Sequence, residues 1–429
     1  MTLVLVVLFG LMLLGIPVAF AILSAGMAYL ATTGGSMLVV AQRLIYGLNS
    51  FTLLAVPLFI LVGNLMDFGG ISKRLIDWAK SILGWLPGGL GIVTVFSCAI
   101  FAALTGSGPA TVAAIGSIML PSMLKAGYSR ETSAGLVASA GALGPIIPPS
   151  IPMIIYGVTM NLSIPAMFMA GVVPGLVIAL ALSLVNVVFA YRNPEVLKHA
   201  KTMKFDFKES MKLFWKALGA LGLPVLILGG IYGGIFTPTE SAAVGIVYAL
   251  ILGFALKELK VKDLPKILIN SLKTSTMVNF IIAAASLFSW VVSKSQIGIV
   301  ISNAFISFVG GSQALYLFVL VVVLLIVGCL MDNVAATLIL APILIPVGIA
   351  LGCNELHIGM LFCICLVVGF VTPPFGYNLF TAVSISGLNF KQIVKGALPF
   401  LLTEILLLFV FAYVPGIITW LPRLMGYGY

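Results

Sequence analysis

Two segments of this 429-residue chain, about half its length apart, carry the same order of unusual residues, and that duplication limits the fold more than any other feature. The first reads Leu104-Thr-Gly-Ser-Gly-Pro-Ala-Thr111, then Leu120-Pro121, Pro148-Pro149 and Gly171-Val-Val-Pro174. The second reads Leu330-Met-Asp-Asn-Val-Ala-Ala-Thr337, then Ile345-Pro346, Pro373-Pro374 and Gly396-Ala-Leu-Pro399. Pro121, Pro148, Pro149, Gly171 and Pro174 each meet their counterpart 225 residues later, a constant offset that scattered coincidences do not produce. Duplicated modules of opposite orientation are the usual plan of secondary transporters, with the substrate at the repeat interface near mid-membrane.

The solvent that such a chain needs follows from its composition. Hydrophobic residues make up 61% of it, charged residues 8%, and the mean hydropathy is +1.23, so no soluble surface can be built and the surroundings are lipid. Apolar windows of about 20 residues recur, for example within Leu3 to Leu30, Ile164 to Tyr191, Gly219 to Phe236 and Leu401 to Leu421. One cleavable leader does not explain them. Cys98, Cys329, Cys353, Cys363 and Cys365 form no CxxC and mostly lie in apolar runs, which fits packing residues better than disulfides or metal ligands. The net charge of +10 is interrupted by apolar spans and gathers on no single face, so it reports topology and no nucleic-acid partner.

Arg192 to Lys216 carries seven Lys/Arg and Lys257 to Lys273 five more, which places both stretches in the cytoplasm. Ala217 to Phe236 and Ser241 to Leu256 then cross out and back between them. Traced outward, 164–191 crosses inward, and the interrupted span 131–160 begins inside. Segments 88–104 and 109–124, short for two full spans, form a hairpin that enters from the cytoplasm and turns at Gly106-Ser-Gly-Pro109. The second module runs the other way: 274–293 crosses outward, hairpin 312–352 enters from outside, and broken span 357–386 descends to Lys391 and Lys395. On this tracing only Arg43, Lys294 and Arg423 of the 22 basic residues face outside. The N-terminus is expected in the cytoplasm and the C-terminus in the periplasm.

Proline lacks an amide hydrogen and clashes with the preceding turn, so Gly144-Pro-Ile-Ile-Pro-Pro149 and Gly369-Phe-Val-Thr-Pro-Pro374 interrupt their helices. Unwound backbone is tolerated in hydrocarbon only where protein buries it or where it lines a polar cavity. Freed carbonyls present partial negative charge to a cation, and freed amides partial positive charge to an anion. One hairpin tip and one break therefore offer both halves of a symport site. The hydroxyls of Thr105, Ser107 and Thr372 and the amide of Asn333 add oxygens suited to Na+. Asp332, costly in lipid, is expected to face a cavity, bind a cation or proton, or cap the second arm of its hairpin. Glu240 and Glu404 raise the same question with less support. Ile71 to Leu86 and Gly298 to Phe308 are amphipathic and fit either arms lying along the membrane or short core helices.

Enzymatic readings find little support. There is no HExxH or GxSxG, and His199 and His357 are the only histidines. Hairpins that stop at mid-depth from both faces fit alternating access better than a continuous pore.

At these residues the chain closely resembles the large membrane subunit of tripartite ATP-independent periplasmic (TRAP) transporters. The resemblance covers essentially the whole chain and rests on Gly15-Ile-Pro-Val-Ala-Phe20, Ala55-Val-Pro-Leu-Phe59, Gly106-Ser-Gly-Pro-Ala-Thr-Val-Ala-Ala-Ile-Gly116, Ile147-Pro-Pro-Ser-Ile-Pro152, Phe236-Thr-Pro-Thr-Glu240, Asp332-Asn-Val-Ala-Ala336, Leu340-Ala-Pro-Ile-Leu344 and Thr372-Pro-Pro-Phe-Gly376. It implies an all-α polytopic fold of the inverted-repeat ion-transporter type in the bacterial inner membrane, with two re-entrant hairpins, two broken helices and an elevator motion. Residues 1–86 would be scaffold and arm, 87–163 the first transport repeat, 164–311 scaffold, cytoplasmic linker and second arm, 312–389 the second transport repeat, and 390–429 a C-terminal scaffold helix.

The resemblance further implies Na+-coupled uptake of an organic acid such as a C4-dicarboxylate, a sialic acid or a related sugar acid. The implied partners are a small four-span membrane subunit and a periplasmic substrate-binding protein. One Na+ would sit among Thr105, Gly106, Ser107, Gly141, Pro145 and Ile147, another among Met331, Asp332, Asn333, Gly369 and Thr372. The substrate would touch Ser107, Pro149, Ser150 and Asn333. Family members commonly carry an acidic residue where Thr111 stands here, so the inner Na+ site would rest on backbone carbonyls and Ser107. A stand-alone Na+-coupled dicarboxylate or anion carrier of the same architecture is the alternative.

Overall fold

In a computed structural model the chain is helical throughout, with no strand among the described residues. The structure describes residues 2–428, with side chains for all of these except Thr2, Leu5, Leu13, Ile71 and residues 297–302. Eight helices among them are long and apolar enough to cross a membrane.

The duplication is visible as two copies of one motif. Hairpin 1 pairs Gly89–Thr105 with Gly108–Lys125, and broken helix 1 follows as Arg130–Gly141 and Ile151–Met160. Hairpin 2 pairs Gln313–Leu330 with Asn333–Ala350, and broken helix 2 follows as Glu355–Gly369 and Tyr377–Ser386. Local chemistry sets each boundary. Hairpin 1 turns because Gly106 takes φ +60, a left-handed conformation free of strain only without a side chain, and Pro109 then opens the second arm in its first turn. Hairpin 2 turns differently: Met331 is extended at φ −142, and the Asp332 carboxylate accepts from Val334 N at 2.8 Å to cap the second arm. In the breaks, the Pro148–Pro149 and Pro373–Pro374 bonds are both cis.

The helices sort into two groups by their neighbours. Val18–Thr33, Leu38–Leu48, Ala55–Phe68, Phe207–Tyr232, Pro238–Ala255 and Leu264–Lys294 form a frame in which Leu264–Lys294 packs on the first three of these. Hairpins and broken helices form the other group. Ile164–Tyr191 and Phe390–Tyr413, expected to stand with the scaffold, pack mainly on this second group. Backbone contact explains the closeness: a Cβ on Gly396 would strike the Glu131 carbonyl, and one on Gly135 would strike the Gly396 backbone. The groups meet where Ala55–Phe68 touches Gly89–Thr105 and Leu264–Lys294 touches Asn333–Ala350.

Two frame helices run past their expected ends. Phe207–Tyr232 continues through the basic stretch to Asp206, whose carboxylate caps Lys208 N at 2.8 Å, and Leu264–Lys294 begins ahead of the expected span at 274. The chain breaks at Gly15-Ile-Pro17, so Leu3 to Leu30 is two short helices, Thr2–Leu13 and Val18–Thr33, packed on each other. The expected arms are helices Ile71–Leu83 and Ile297–Val309; the first packs between Gly89–Thr105 and Phe207–Tyr232, and the side chains of 297–302 in the second lie outside the described residues. All five cysteines are buried and free.

Candidate functional site

Each hairpin tip presses on the break of its own module. A Cβ on Gly144 would lie 2.6 Å from Ser107 O, and one on Gly106 would lie 2.9 Å from Pro149 O. In the second module a Cβ on Gly369 would strike the Gly328 backbone, and Gly376 N donates to Cys329 O at 3.4 Å. The modules are tied to each other by Asn378, fully buried in the second break, whose Nδ2 donates to Ala138 O at 3.0 Å.

Between the tips and the frame lies a cavity of about 410 Å³. Thr105, Gly106, Ser107, Pro145, Asp332 and Asn333 line it on the hairpin side. Thus six of the residues singled out from sequence, drawn from both modules, converge on one space. The frame supplies the opposite wall with Asn64, Asp67, Thr274 and Met277, while Phe370 and Tyr377 close one flank as an edge-to-face pair 5.2 Å between ring centroids. No Lys, Arg or His lines it.

The two tips differ in how their polar atoms are satisfied. At tip 1, Thr111 is fully buried, donates its hydroxyl to Ser107 O at 2.8 Å and lies 3.2 Å from the Thr105 hydroxyl, which also donates to Phe101 O at 3.3 Å. The two threonines of tip 1 are therefore satisfied within the tip. At tip 2 the Asn333 side chain is only 2% exposed, lines the cavity, and has no partner for Oδ1 or Nδ2 among the described residues; Thr337, one turn along the same face, is fully buried with its hydroxyl equally unpartnered there. Buried polar groups left unpaired are costly, and Asn333, unpaired in a cavity wall with Thr337 unpaired behind it, marks a place for a ligand.

The remaining expected residues lie around this cavity without lining it. Gly141 is buried beside Gly108, its carbonyl accepting from Gly144 N at 3.0 Å. Ser150 is fully buried, donates to Pro145 O at 2.5 Å, and accepts from Met153 N, so its hydroxyl holds the break in shape. Pro149 is buried against Gly106, and Met331 is 6% exposed. The Thr372 hydroxyl donates to Val368 O at 3.0 Å within its own turn, while Gly369 packs on Gly328. The Ile147 side chain points away, toward an apolar crevice between Ile164–Tyr191 and Phe207–Tyr232, where it meets Gly175.

Of the other acids, Glu240 is exposed and closes a capping box with Thr237, accepting from its N at 2.8 Å and Oγ1 at 2.9 Å, which is a structural role. Glu404 is 1% exposed and does not line the cavity, with neither carboxyl oxygen partnered among the described residues. Asn64, Asp67, Thr274, Thr337, Tyr377 and Asn378 went unflagged by sequence. Asp67 and Asn64 carried a usable signal, being polar residues inside an apolar span.

An all-helical membrane protein built from two like modules, with a cavity where both converge that sets a few polar groups in a largely apolar wall, has the construction of a carrier. The solved structures it resembles agree on the fold. It covers 94% of itself and 89% of the Alcanivorax borkumensis YdaH transporter at TM-score 0.60 and 14% identity, and 91% of itself and 85% of Neisseria gonorrhoeae MtrF, also at 0.60 and 14%.

Sequence comparison gives the family. The profile of the tripartite ATP-independent periplasmic transporter DctM component matches residues 5–417, and the chain belongs to that family of large permease subunits. It is 40% identical over 405 residues to the C4-dicarboxylate TRAP transporter large permease protein DctM of Pseudomonas aeruginosa, covering 94% of each. It is 34% identical to the sialic acid TRAP transporter large permease protein SiaM of Vibrio cholerae, covering 98% of each. An isethionate TRAP transporter permease protein DctMQ from Oleidesulfovibrio alaskensis is 39% identical over 95% of this chain, which spans 64% of that longer protein. The relatives are permeases, not enzymes, and the family works with a small membrane subunit and a periplasmic binding protein. The chain is accordingly a multi-pass inner-membrane protein.

Proposed function

We propose that this chain is the large membrane subunit of a Na+-coupled carrier that takes up an organic acid, a C4-dicarboxylate, sialic acid or related sugar acid, handed over by a periplasmic binding protein. The observation that carries the reading is the cavity that residues of both tips line, with Asn333 in its wall as an amide buried without a protein partner among the described residues. Asn333 Oδ1 and the Thr337 hydroxyl are hard oxygen donors suited to Na+, joined by Asp332 and by carbonyls of the last turns before each tip, which have no helical partner. The amino ends of Gly108–Lys125 and Asn333–Ala350 lie at the tips, where their free N–H groups favour a carboxylate. A cavity with no basic side chain has no fixed charge to neutralise an organic anion, so co-bound Na+ fills that role and couples the two fluxes.

The motion proposed is an elevator: re-entrant hairpins and broken helices move against the frame. Ile164–Tyr191 and Phe390–Tyr413 travel with them, as their packing favours. The cavity reaches Asp67 and Thr274, next to the basic stretches around Lys73 and Lys273, which supports reading this conformation as open to the cytoplasm. With the N-terminus inside and the C-terminus outside, the binding protein docks on the opposite face.

Reconstitution with the small subunit tests the proposal. An inward Na+ gradient should drive accumulation of at least one of succinate, isethionate and sialic acid when its binding protein is added, and a K+ gradient should not. Equal accumulation under both gradients defeats the coupling, and full activity without any binding protein points to a stand-alone carrier.

A further inference from the structure

We infer that Asp67 is an unloading residue: a carboxylate fixed on the frame that weakens binding of the organic anion only when the hairpin tips face the cytoplasmic end of the cavity. The inference rests on the organic-acid reading above. Asp67 lines the cavity with the tips, yet stands on Ala55–Phe68, which packs in the frame against Pro238–Ala255 and Leu264–Lys294. It is the penultimate residue of that helix, where the macrodipole is negative and a basic residue is the stabilising choice. The stability of its own helix therefore gives no reason for an acid there; the side chain that acts on its carboxylate is Ser72, in the first turn of the next helix, which leaves the charge in place.

Neighbouring cations do not account for it either. Arg74 pairs with Glu258 at 3.3 Å, Lys266 sits over the Phe68 ring at 5.6 Å, and no basic side chain lines the cavity. What changes as the tips move is therefore the frame's share of the charge around the cavity. The hairpin wall presents two helix amino ends, the unpaired Asn333 amide and Asp332, whereas the frame wall presents a helix carboxyl end and Asp67. An anion held by the tips is repelled by the wall it faces, and the repulsion vanishes when the tips move away along the frame. Asp332 also lines the cavity, but it moves with the tips and so acts on a bound anion alike in both positions; it does not supply this asymmetry.

The test compares affinity on the two sides. Proteoliposomes of the complete transporter are preloaded with graded amounts of the acid that wild type accumulates from among succinate, isethionate and sialic acid, and uptake is followed with that acid and binding protein outside. Across a cavity on the order of 10 Å, removing one charge should change inner affinity roughly tenfold. Asp67→Asn should lower the internal concentration that half-inhibits uptake by that factor and leave the external KM unchanged, and Asp67→Glu should restore wild-type behaviour. Equal shifts on both sides, no shift, or a shift in internal Na+ inhibition instead of acid inhibition would overturn the inference. Failure of wild type to accumulate any of the three acids would remove the reading beneath it, a result distinct from these.

Discussion

The two hairpin tips occupy matched places in the duplicated modules and solve the same turn with opposite economies of polar groups. Tip 1 uses a glycine at positive φ and ties the Thr105 and Thr111 hydroxyls to each other and to the Ser107 backbone, leaving only the part-exposed Ser107 hydroxyl toward the cavity. Tip 2 uses an extended Met331 and an Asp332 cap, and leaves Asn333 and Thr337 buried and unpaired. Duplication preserved the shape and released the chemistry: one tip is built to stand alone, the other to be completed by what it binds.

The comparison breaks most readily at Asn333. Asn333→Ala should lower Na+-driven kcat/KM roughly 10- to 100-fold, as expected for losing a hydrogen bond or ligand to a charged group, whereas Ser107→Ala should cost only about 3- to 10-fold. Uptake assays that rank these two the other way would move the centre of the site to tip 1.

Asp332→Asn sharpens the contrast by separating charge from cap. Asparagine caps a helix as well as aspartate does, so thermal unfolding should stay within about 2 °C of wild type while the Na+ concentration for half-maximal uptake rises roughly tenfold. Unchanged Na+ dependence would reduce Asp332 to its cap.

The smallest effects come from the paired threonines. Thr111→Val deletes the bond to Ser107 O and should destabilise by about 1 kcal/mol, with modest loss of transport. Thr337→Val removes a hydroxyl with no protein partner, so it should leave stability unchanged or raised while weakening Na+ affinity. Calorimetry and Na+ titration of the pair would show whether the tips differ as described.

Much of this layout was legible before any coordinates. Glycine and proline leave no choice about where a helix stops, so Gly106, Pro109, Pro148 and Pro373 located the turns and breaks to within a residue or two. Helix starts in polar stretches were less legible, because lysines on a surface helix look like a loop by hydropathy; Phe207–Tyr232 and Leu264–Lys294 begin inside such stretches. The site's moving wall was readable for the same reason as the turns. Its frame wall was not, since Asn64, Asp67 and Thr274 share no motif and are brought together only by packing between distant helices, as the Asn64 to Ser271 hydrogen bond of 2.8 Å shows. The grouping of Phe390–Tyr413 escaped likewise, because an apolar span does not declare its neighbour.

Opposite orientation of the two hairpins is the claim on which the rest depends, and sidedness labelling reaches it most directly. Lys125 and Ala350 end the second arms of hairpins 1 and 2 at matched, exposed positions, and the five native cysteines are buried. A membrane-impermeant maleimide applied to intact spheroplasts should label Ala350→Cys and spare Lys125→Cys, with the pattern reversed in inside-out vesicles. Labelling of both positions from the same side would contradict the inverted arrangement.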